Sequence, residues 1–403
     1  MVIDRVRLTN YKSIAKADVR LGPLTLLVGL NGSGKSNFLD AMRFVSDALN
    51  APLDYAFRER GGLNDVRRRS DGHPTHFGIR LDFTLPSGTR GTYSFKIGSR
   101  KEGNYSVDTE ECILHPQSFP ALQVRYKTLS GKVQFLENAP PVARDRLYLV
   151  NVSGLTHFEE AFNTLKNLRF YNLNPEAIRD FQPASTDPYL LRDGANITTV
   201  LRRIENDDPK SHALIVQYLS AIVPQIQDVS VATIGKGSLG KLETLAFKQQ
   251  VSARKALWPF AANSMSDGTL RAVGILVALF QDDESSHNEL AAIGIEEPEV
   301  AVHPGALNTI FSAILRASER RQIIVTSHSP DLLDDDRITA DMIRAVSVEK
   351  GATYITTIDE GAKQELARGL HSAGDLLRLN QLVPDRDDVE RQQRLQISLF
   401  GDR

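Results

Sequence analysis

The sequence has almost no cysteine and no long apolar run, and these absences exclude several classes of protein. Its single cysteine, Cys112, cannot form an internal disulfide bond, and no cysteine and histidine cluster has the spacing of a structural zinc site. The sequence contains no run of about 18 apolar residues, so it predicts no membrane-spanning helix. The first residues, MVIDRVRLTNYKS, alternate apolar with polar side chains, whereas a signal peptide needs an unbroken apolar stretch. We expect a cytoplasmic protein without a membrane partner.

The sequence also lacks a charge excess and a coiled-coil repeat. It has 48 basic and 50 acidic residues and a formal net charge of -2, so any nucleic-acid site must be a local patch. No heptad pattern is sustained over several repeats, which predicts a globular chain without a long arm. The 403 residues, of which 41% are hydrophobic, are enough for one large or two modest cores.

The motif GLNGSGKS at residues 29–36 lies between an apolar strand, LTLLV, and a predicted helix over residues 37–49. In this order, glycines let backbone N–H groups turn toward phosphates at a helix N-terminus, whose dipole favours an anion. Lys35 would reach the β- and γ-phosphates, and the Ser36 hydroxyl would ligate Mg²⁺. The flanking strand and helix disfavour a chance match in a glycine-rich turn. The predicted ATP-binding residues are Gly29, Asn31, Gly32, Ser33, Gly34, Lys35, Ser36 and Asn37.

A second apolar strand, AAIGI, ends in the acidic pair Glu296 and Glu297. Open α/β folds bind ligands at the carboxyl ends of their strands, so this pair resembles a Walker B motif. Glu296 would hold Mg²⁺ through water, and Glu297 would orient or deprotonate the attacking water. Without the P-loop, the same pair would be interpreted as a solvated strand end.

Two further motifs are candidates for contact with the phosphates. His328, in TSHSP after the strand IIV, is placed to sense the γ-phosphate, although a histidine after a strand is often only a capping or packing residue. The segment SMSDGT precedes a predicted helix, so the Ser266 hydroxyl and the Gly268 N–H form another phosphate-binding helix start. A simple N-cap is the alternative for Ser266.

The motifs GLNGSGKS, SMSDGT, IGIEEPE and TSHSP occur in the order found in ABC-type ATPases. Together with IDRVRLTNYKSI, EEPEVAVHP and TSHSPDLL, they resemble the RecF, SMC and Old nuclease branch, in its group of stand-alone AAA family ATPases. The resemblance implies an α/β fold, a P-loop NTPase of the ABC-type ATPase head with a split core and a mixed strand and helix insertion. Asp267 stands where the ABC signature usually has its first glycine, and no Q-loop glutamine can be placed between residues 51 and 135.

ATPases of this branch pair head to tail around ATP. The resemblance therefore implies a homodimer, or a higher oligomer, in which Ser266, Asp267 and Gly268 of one subunit complete the site of Lys35 and Glu297 in the other. It also implies ATP hydrolysis on or around double-stranded DNA, in repair or anti-phage defence. The alternative is a slow, nucleotide-dependent regulatory or scaffold subunit that controls a separately encoded effector protein such as a nuclease.

The arginine-rich segments 58–60 and 67–69 are candidate DNA contacts, with internal salt bridging as the alternative. An Old-type nuclease domain is disfavoured, because only about 75 residues follow His328. The acidic run 334–336 and the segment 348–351 resemble metal motifs only superficially. We expect the first to end a helix and the second to form a hairpin turn.

Four segments are predicted along the chain. Residues 1–50 carry the first part of the ATPase core with Walker A, and residues 251–384 carry its second part with the signature, Walker B and the histidine switch. Between them, residues 51–250 form an insertion that is strand-rich and then helical. Residues 385–403 form a charged tail. We expect the two core segments to pack together.

Overall fold

In the computed structural model of the 403-residue chain, the described residues form three β-sheets and the helices that cover them. It describes residues 2–70, 72, 74–100, 104–118, 122–143, 145–237, 240–251, 256–281, 290–394 and 398–400. The strands are β1 (Val2–Tyr11), β2 (Ile14–Arg20), β3 (Leu24–Val28), β4 (His76–Thr84), β5 (Arg90–Ser99), β6 (Tyr105–His115), β7 (Val124–Leu129), β8 (Lys132–Gln134), β9 (Arg169–Tyr171), β10 (Gln182–Pro183), β11 (Ile226–Gly237), β12 (Gly240–Gln250), β13 (Leu257–Ala261), β14 (Ala292–Glu296), β15 (Gln322–Ser327), β16 (Ile343–Glu349) and β17 (Ala352–Thr356).

The α-helices alternate with these strands along much of the chain. They are α1 (Lys35–Asn50), α2 (Leu53–Arg58), α3 (Leu63–Val66), α4 (Tyr148–Asn151), α5 (Thr156–Lys166), α6 (Pro175–Arg179), α7 (Ile197–Asp207), α8 (Pro209–Ile222), α9 (Asp267–Phe280), α10 (Leu307–Ser318), α11 (Glu360–Ala367), α12 (Ala373–Arg378) and α13 (Arg386–Arg394). Helix α9 is buried all round from Thr269 to Phe280, which is typical of a helix inside a core. No helix in the described part of the chain is long and apolar enough to cross a membrane.

The central sheet has six strands in the order β17-β16-β3-β15-β14-β9. All are parallel except the edge strand β17, which pairs with β16 in the antiparallel sense. All five residues of strand β3 are buried, so both of its faces pack inside the structure, as its largely apolar sequence LTLLV requires. It comes from the N-terminal part of the chain and lies between β15 and β16 from the C-terminal part. The predicted α/β core that is split along the sequence is therefore confirmed.

The second sheet has seven strands in the order β2-β1-β4-β5-β6-β7-β8, paired throughout in the antiparallel sense. Strand β4 alternates, so Phe77 and Ile79 face the core while Arg80 lies on the opposite face. Strands β4 to β8 belong to the predicted insertion 51–250, yet β4 pairs directly with β1. Residues from both sides of position 50 thus share one sheet.

A smaller third sheet, in the order β10-β12-β11 with β13 also paired to β12, accompanies a group of helices. The predicted helical spacing at Val200, Leu201 and Ile204 corresponds to α7, which buries all three side chains. The spacing over residues 213–222 corresponds to α8. We call α6, α7, α8 and the third sheet the helical lobe.

Apolar residues fill both faces of the central sheet. Leu26 and Val28 of β3 belong to a cluster with α9, α10 and the helical lobe, whereas Leu27 belongs to a cluster with α1 and the seven-stranded sheet. The sheet is therefore sandwiched, and the carboxyl ends of β3, β14 and β15 meet at one edge. The predicted hairpin turn at 348–351 joins β16 to β17, and α13 lies in the predicted charged tail.

Candidate nucleotide-binding site

The loop 29–34 turns sharply between β3 and α1. Gly32 and Gly34 have φ angles of 76° and 102°, a region that favours glycine. A Cβ on Gly34 would lie 2.3 Å from Thr353 Oγ1, and one on Gly29 would lie 2.1 Å from Val346 O. These glycines let the loop pack tightly against β16 and β17 and turn into the start of α1.

Two hydroxyl groups, those of Thr353 and Ser13, lie beside this loop and help to hold it. Thr353 Oγ1 donates to Ser33 O over 2.9 Å and lies 2.7 Å from Ser13 Oγ. Asn37 Nδ2 in turn donates to Ser13 Oγ over 2.7 Å. Ser13 lies in the motif IDRVRLTNYKSI, but the sequence assigned it no role. Thr353 was not selected because it is more than 300 residues away from the loop along the chain.

Lys35 and Ser33 are the buried polar groups of the loop, whereas Asn31, Gly32 and Ser36 are exposed. Lys35 Nζ donates to the carbonyl oxygens of Gly29 and Leu30 over 2.7 and 3.0 Å. Burial lowers the pKa of Lys35, and the carboxylates of Glu297 and Glu299 oppose that shift. Ser33 Oγ is buried with no hydrogen-bond partner among the described residues. A buried cation and an unused hydroxyl beside a helix N-terminus fit a phosphate group.

The acidic pair lies at the same edge, where β14 ends beside β15. Glu297 N donates to Thr326 O over 3.0 Å, and its φ angle is 45°, a left-handed conformation that costs a non-glycine residue about 1 to 3 kcal/mol. Glu296 Oε1 accepts from Arg192 Nη2 over 2.9 Å. The chain thus turns abruptly after Glu296, and the two neighbouring carboxylates have different surroundings.

Arg271 of α9 holds this turn from inside the core. Its Nη2 donates to the carbonyl oxygens of Glu296 and Glu297 over 3.1 and 3.0 Å, and its Nη1 donates to Leu173 O over 2.8 Å. Burial lowers the pKa of Arg271, while Glu299, Glu297 and Glu296 act in the opposite direction. No local pattern distinguishes Arg271 from the other arginines of the chain.

His328 follows β15 and faces two carboxylates. Its Nδ1 lies 3.6 Å from Glu297 Oε1 and 3.6 Å from Glu299 Oε1. Glu299 Oε1 also accepts from Ser327 Oγ over 2.8 Å and from His328 N over 3.1 Å. Glu299 is buried, and its Oε2 has no hydrogen-bond partner among the described residues. Sequence reasoning missed Glu299, although it lies in the phrase EEPE, because no local pattern shows that the loop folds back onto β15.

The signature residues are engaged within their own chain. Ser266 caps α9, since its Oγ accepts from Thr269 N over 3.3 Å, which is the alternative that the sequence left open. A Cβ on Gly268 would lie 2.3 Å from Ala301 O, and Asp267 is paired with Arg179. Among the hydrogen bonds and ion pairs of the described residues, none joins these three to residues 29–37.

The arginine-rich segments do not form one exposed patch. Arg60 is buried and paired with Asp40 and Asp47 at 3.0 and 2.8 Å, so the alternative of internal salt bridging is observed there. Arg68 donates to the carbonyl oxygens of Ser13 and Gly351. Arg60 is therefore unsuited to contact DNA, which corrects that part of the expectation.

The acidic run 334–336 follows a short 3-10 helix and is engaged in ion pairs. Asp334 pairs with Arg378 at 2.6 Å, and Asp335 pairs with Arg337 at 2.6 Å. Within the described ranges, no group of three or more histidine, cysteine, aspartate or glutamate side chains is arranged to hold a metal ion.

Comparison with known proteins gives relatives that include a DNA repair protein and an endonuclease. The chain is 51% identical over 47 residues to the DNA replication and repair protein RecF of Porphyromonas gingivalis, covering 11% of this chain and 13% of that protein. It is 21% identical to the endonuclease GajA of Bacillus cereus over 93% of this chain and 64% of that protein. The chain thus spans less than two thirds of the length of these relatives.

A solved structure shows the same fold. The Smc head domain of Pyrococcus furiosus, bound to the C-terminal domain of ScpA, matches 91% of this chain and 99% of its own, with a TM-score of 0.53 and 12% identity. A family model described as "AAA domain, putative AbiEii toxin, Type IV TA system" matches residues 24–334, which include GLNGSGKS, SMSDGT, IGIEEPE and TSHSP. The predicted resemblance is confirmed. The chain belongs to this AAA domain family and has the fold of an ABC-type P-loop ATPase head.

Proposed function

We propose that the chain binds ATP with Mg²⁺ and hydrolyses its γ-phosphate. The observation that supports this most directly is that Lys35 lies close enough to Glu297 and Glu299 for their carboxylates to oppose the lowering of its pKa by burial, in the same loop as the unpartnered Ser33 hydroxyl. Backbone N–H groups of the loop and Lys35 would bind the phosphates, and Ser36 and Glu296 would hold the metal. The bound Mg²⁺ would neutralise phosphate charge.

Hydrolysis would depend on the residues after β14 and β15. Glu297 orients a water molecule for attack on the γ-phosphorus and accepts its proton. His328 lies close enough to Glu297 to contact the same phosphate group. Glu299 touches neither the water nor the phosphate in this scheme, but it fixes the backbone of His328 and acts as a positioning residue.

Two finer proposals concern assembly and pathway. The exposed Ser266 and Asp267 would contact the nucleotide of a second copy, giving an ATP-dependent homodimer. The names of the relatives, a DNA repair protein and an endonuclease, support a role on or around DNA, in repair or anti-phage defence, in the cytoplasm. A partner effector remains the alternative outcome if the isolated chain neither dimerises nor retains DNA.

The test is the Glu297→Gln variant. Glutamine preserves the size of the side chain but cannot accept the proton, so ATP binding should persist while phosphate release falls by about 10² to 10⁴-fold. Binding is measured by calorimetry and turnover by phosphate release, with Mg²⁺ present. The control is Glu360→Gln, an exposed glutamate of α11, which should turn over like the wild type.

A Lys35→Ala variant separates binding from chemistry. It removes a direct phosphate contact, so nucleotide affinity itself should fall. Equal turnover in wild type and Glu297→Gln would show that Glu297 takes no part in the reaction. Failure of the wild-type chain to bind ATP would contradict the proposed function as a whole.

A further inference from the structure

Arg192 contacts Glu296, the proposed metal ligand, from a loop outside the strands of the central sheet. It belongs to the loop that leads into α7, and its Nη2 lies 2.9 Å from Glu296 Oε1. The Glu296 side chain is 12% exposed and that of Arg192 is 45% exposed. Glu296 is thus largely covered, and a guanidinium occupies one of its oxygens.

The backbone of Arg192 is fixed relative to the metal-side strand. Asn172 N donates to Arg192 O over 3.0 Å, and Asn172 directly follows β9, which pairs with β14. On the other side, Leu191 N donates to Asn196 Oδ1 over 2.8 Å at the start of α7. Arg192 therefore links the end of β14 to the helical lobe through one side chain.

The Arg192 side chain also borders open space. A groove of about 650 Å³ lies between α1 and α2 on one side and the segment 187–193 on the other, and Arg192 lines it. A guanidinium that leaves Glu296 can move into this groove without displacing core residues. The alternative position is solvated, so release of the ion pair has a modest cost.

We propose that Arg192 is a positioning residue that competes with the metal for Glu296 and reports nucleotide occupancy to the helical lobe. This inference rests on the proposed function. Without nucleotide, Arg192 neutralises Glu296. When Mg²⁺ with ATP occupies the site, Arg192 leaves Glu296, because two cations beside the same carboxylate repel each other. The helical lobe then loses its ion pair to β14 through Arg192.

This competition has a measurable signature that a merely structural arginine lacks. A competing cation lowers the apparent affinity for Mg²⁺ in proportion to the fraction of molecules in which it occupies the carboxylate. Removing Arg192 should therefore lower the Mg²⁺ concentration needed for nucleotide binding. An arginine that only supports the loop would leave this concentration unchanged or raise it.

The experiment uses the full chain with Glu297→Gln to prevent turnover. Binding of ATP is followed by calorimetry while Mg²⁺ is varied, in three chains: the parent, Arg192→Ala and Arg202→Ala. Arg202 is the matched control, since it lies on α7 and pairs with Glu243 at 3.0 Å, away from the site. Arg192→Ala should lower the Mg²⁺ midpoint about two- to fivefold, the range expected for removal of one half-exposed ion pair. Arg202→Ala should match the parent.

The outcomes separate this inference from the proposed function. If the parent binds no ATP at any Mg²⁺ concentration, the proposed function fails. If it binds ATP but the midpoint of Arg192→Ala equals or exceeds that of the parent, only the role of Arg192 is overturned. Arg192→Lys provides a second variant with an intact positive charge, and its midpoint should stay near that of the parent if charge competition is the cause.

Discussion

Glu299 shows how much of the site depends on a residue outside the motifs. One oxygen of its buried carboxylate accepts from the Ser327 hydroxyl and from the His328 N–H. Ser327 is the last residue of β15 and His328 directly follows it, so the carboxylate joins the loop after β14 to the end of β15. These two hydrogen bonds therefore help to set the position of the His328 ring relative to Glu297.

We expect Glu299→Ala to impair hydrolysis more than nucleotide binding. The turn after β15 would lose its acceptor, and a displacement of about 1 Å in a catalytic group can cost about 100-fold in rate. Phosphate release should fall about 10- to 100-fold, while ATP affinity changes little because the P-loop is intact. Glu299→Gln retains a carbonyl acceptor and should lie between alanine and wild type.

The control for this prediction is Glu319→Ala, because the Glu319 side chain is 69% exposed. It should leave turnover unchanged. Circular dichroism and thermal melting establish that each variant is folded. If Glu299→Ala turned over at the rate of the control, the carboxylate would have only a packing role.

At the scale of elements, helix α1 is held by an ion-pair cluster around Asp40. Asp40 pairs with Lys12 at 2.6 Å, Arg43 at 2.9 Å and Arg60 at 3.0 Å. Burial alone would raise the pKa of Asp40, but Arg60, Lys12 and Arg43 outweigh it and hold that pKa well below the usual range. The cluster ties α1 to the turn between β1 and β2 and to the residues after α2.

Arg60→Ala should therefore lower the free energy of unfolding by about 3 kcal/mol, since removal of one partner leaves a buried carboxylate less compensated. Arg58→Ala, two residues away and exposed, should change it by less than about 0.5 kcal/mol. Urea unfolding measures both. The stability that the depressed pKa of Asp40 provides is complete above the unfolded pKa of about 3.9. The difference in unfolding free energy between wild type and Arg60→Ala should therefore be constant from about pH 7 to 5 and become smaller below about pH 4. Equal effects of the two variants would contradict the buried cluster.

Local patterns in the sequence predict some elements of the fold, whereas pairing between distant segments has no local signal. Strands β3, β14 and β15 and helix α9 were predicted because their apolar patterns are local and continuous. Strand β9 has only three residues and no pattern of its own, so its pairing with β14 was not foreseen. The contacts of Thr353 with the P-loop and of Arg192 with Glu296 join residues far apart in sequence, and long-range pairing leaves no periodic signal.

At the scale of the whole molecule, exposed apolar residues lie beside the motifs. Leu30, at the tip of the P-loop, is 75% exposed, and Val300, in the loop after Glu297, is 39% exposed. Burial of such side chains against a second copy would stabilise an interface. The N-terminus of α9 exposes Ser266 and Asp267, which within their own chain cap α9 and pair with Arg179.

We expect the Glu297→Gln chain to double its molar mass in light scattering when ATP and Mg²⁺ are added, since unhydrolysed nucleotide would hold two copies together. Adding Ser266→Arg should keep it monomeric, because the long cation occupies the space of the second copy's nucleotide. Loss of the Ser266 cap costs only about 1 kcal/mol, so ATP binding should survive. Ser130→Arg, in the exposed turn between β7 and β8, is the matched control and should still dimerise.

Double-stranded DNA added to the same samples distinguishes a DNA clamp from a regulatory subunit that acts through a separate effector. A dimer that retains DNA only with ATP supports a clamp, in which each γ-phosphate cross-links two subunits and hydrolysis releases them. A mass that stays unchanged with ATP, in a chain that demonstrably binds ATP, would contradict the homodimer. The P-loop and the carboxylates would still be functional in that case. The exposed Ser266 and Asp267 would then contact a different protein, as the regulatory alternative expects.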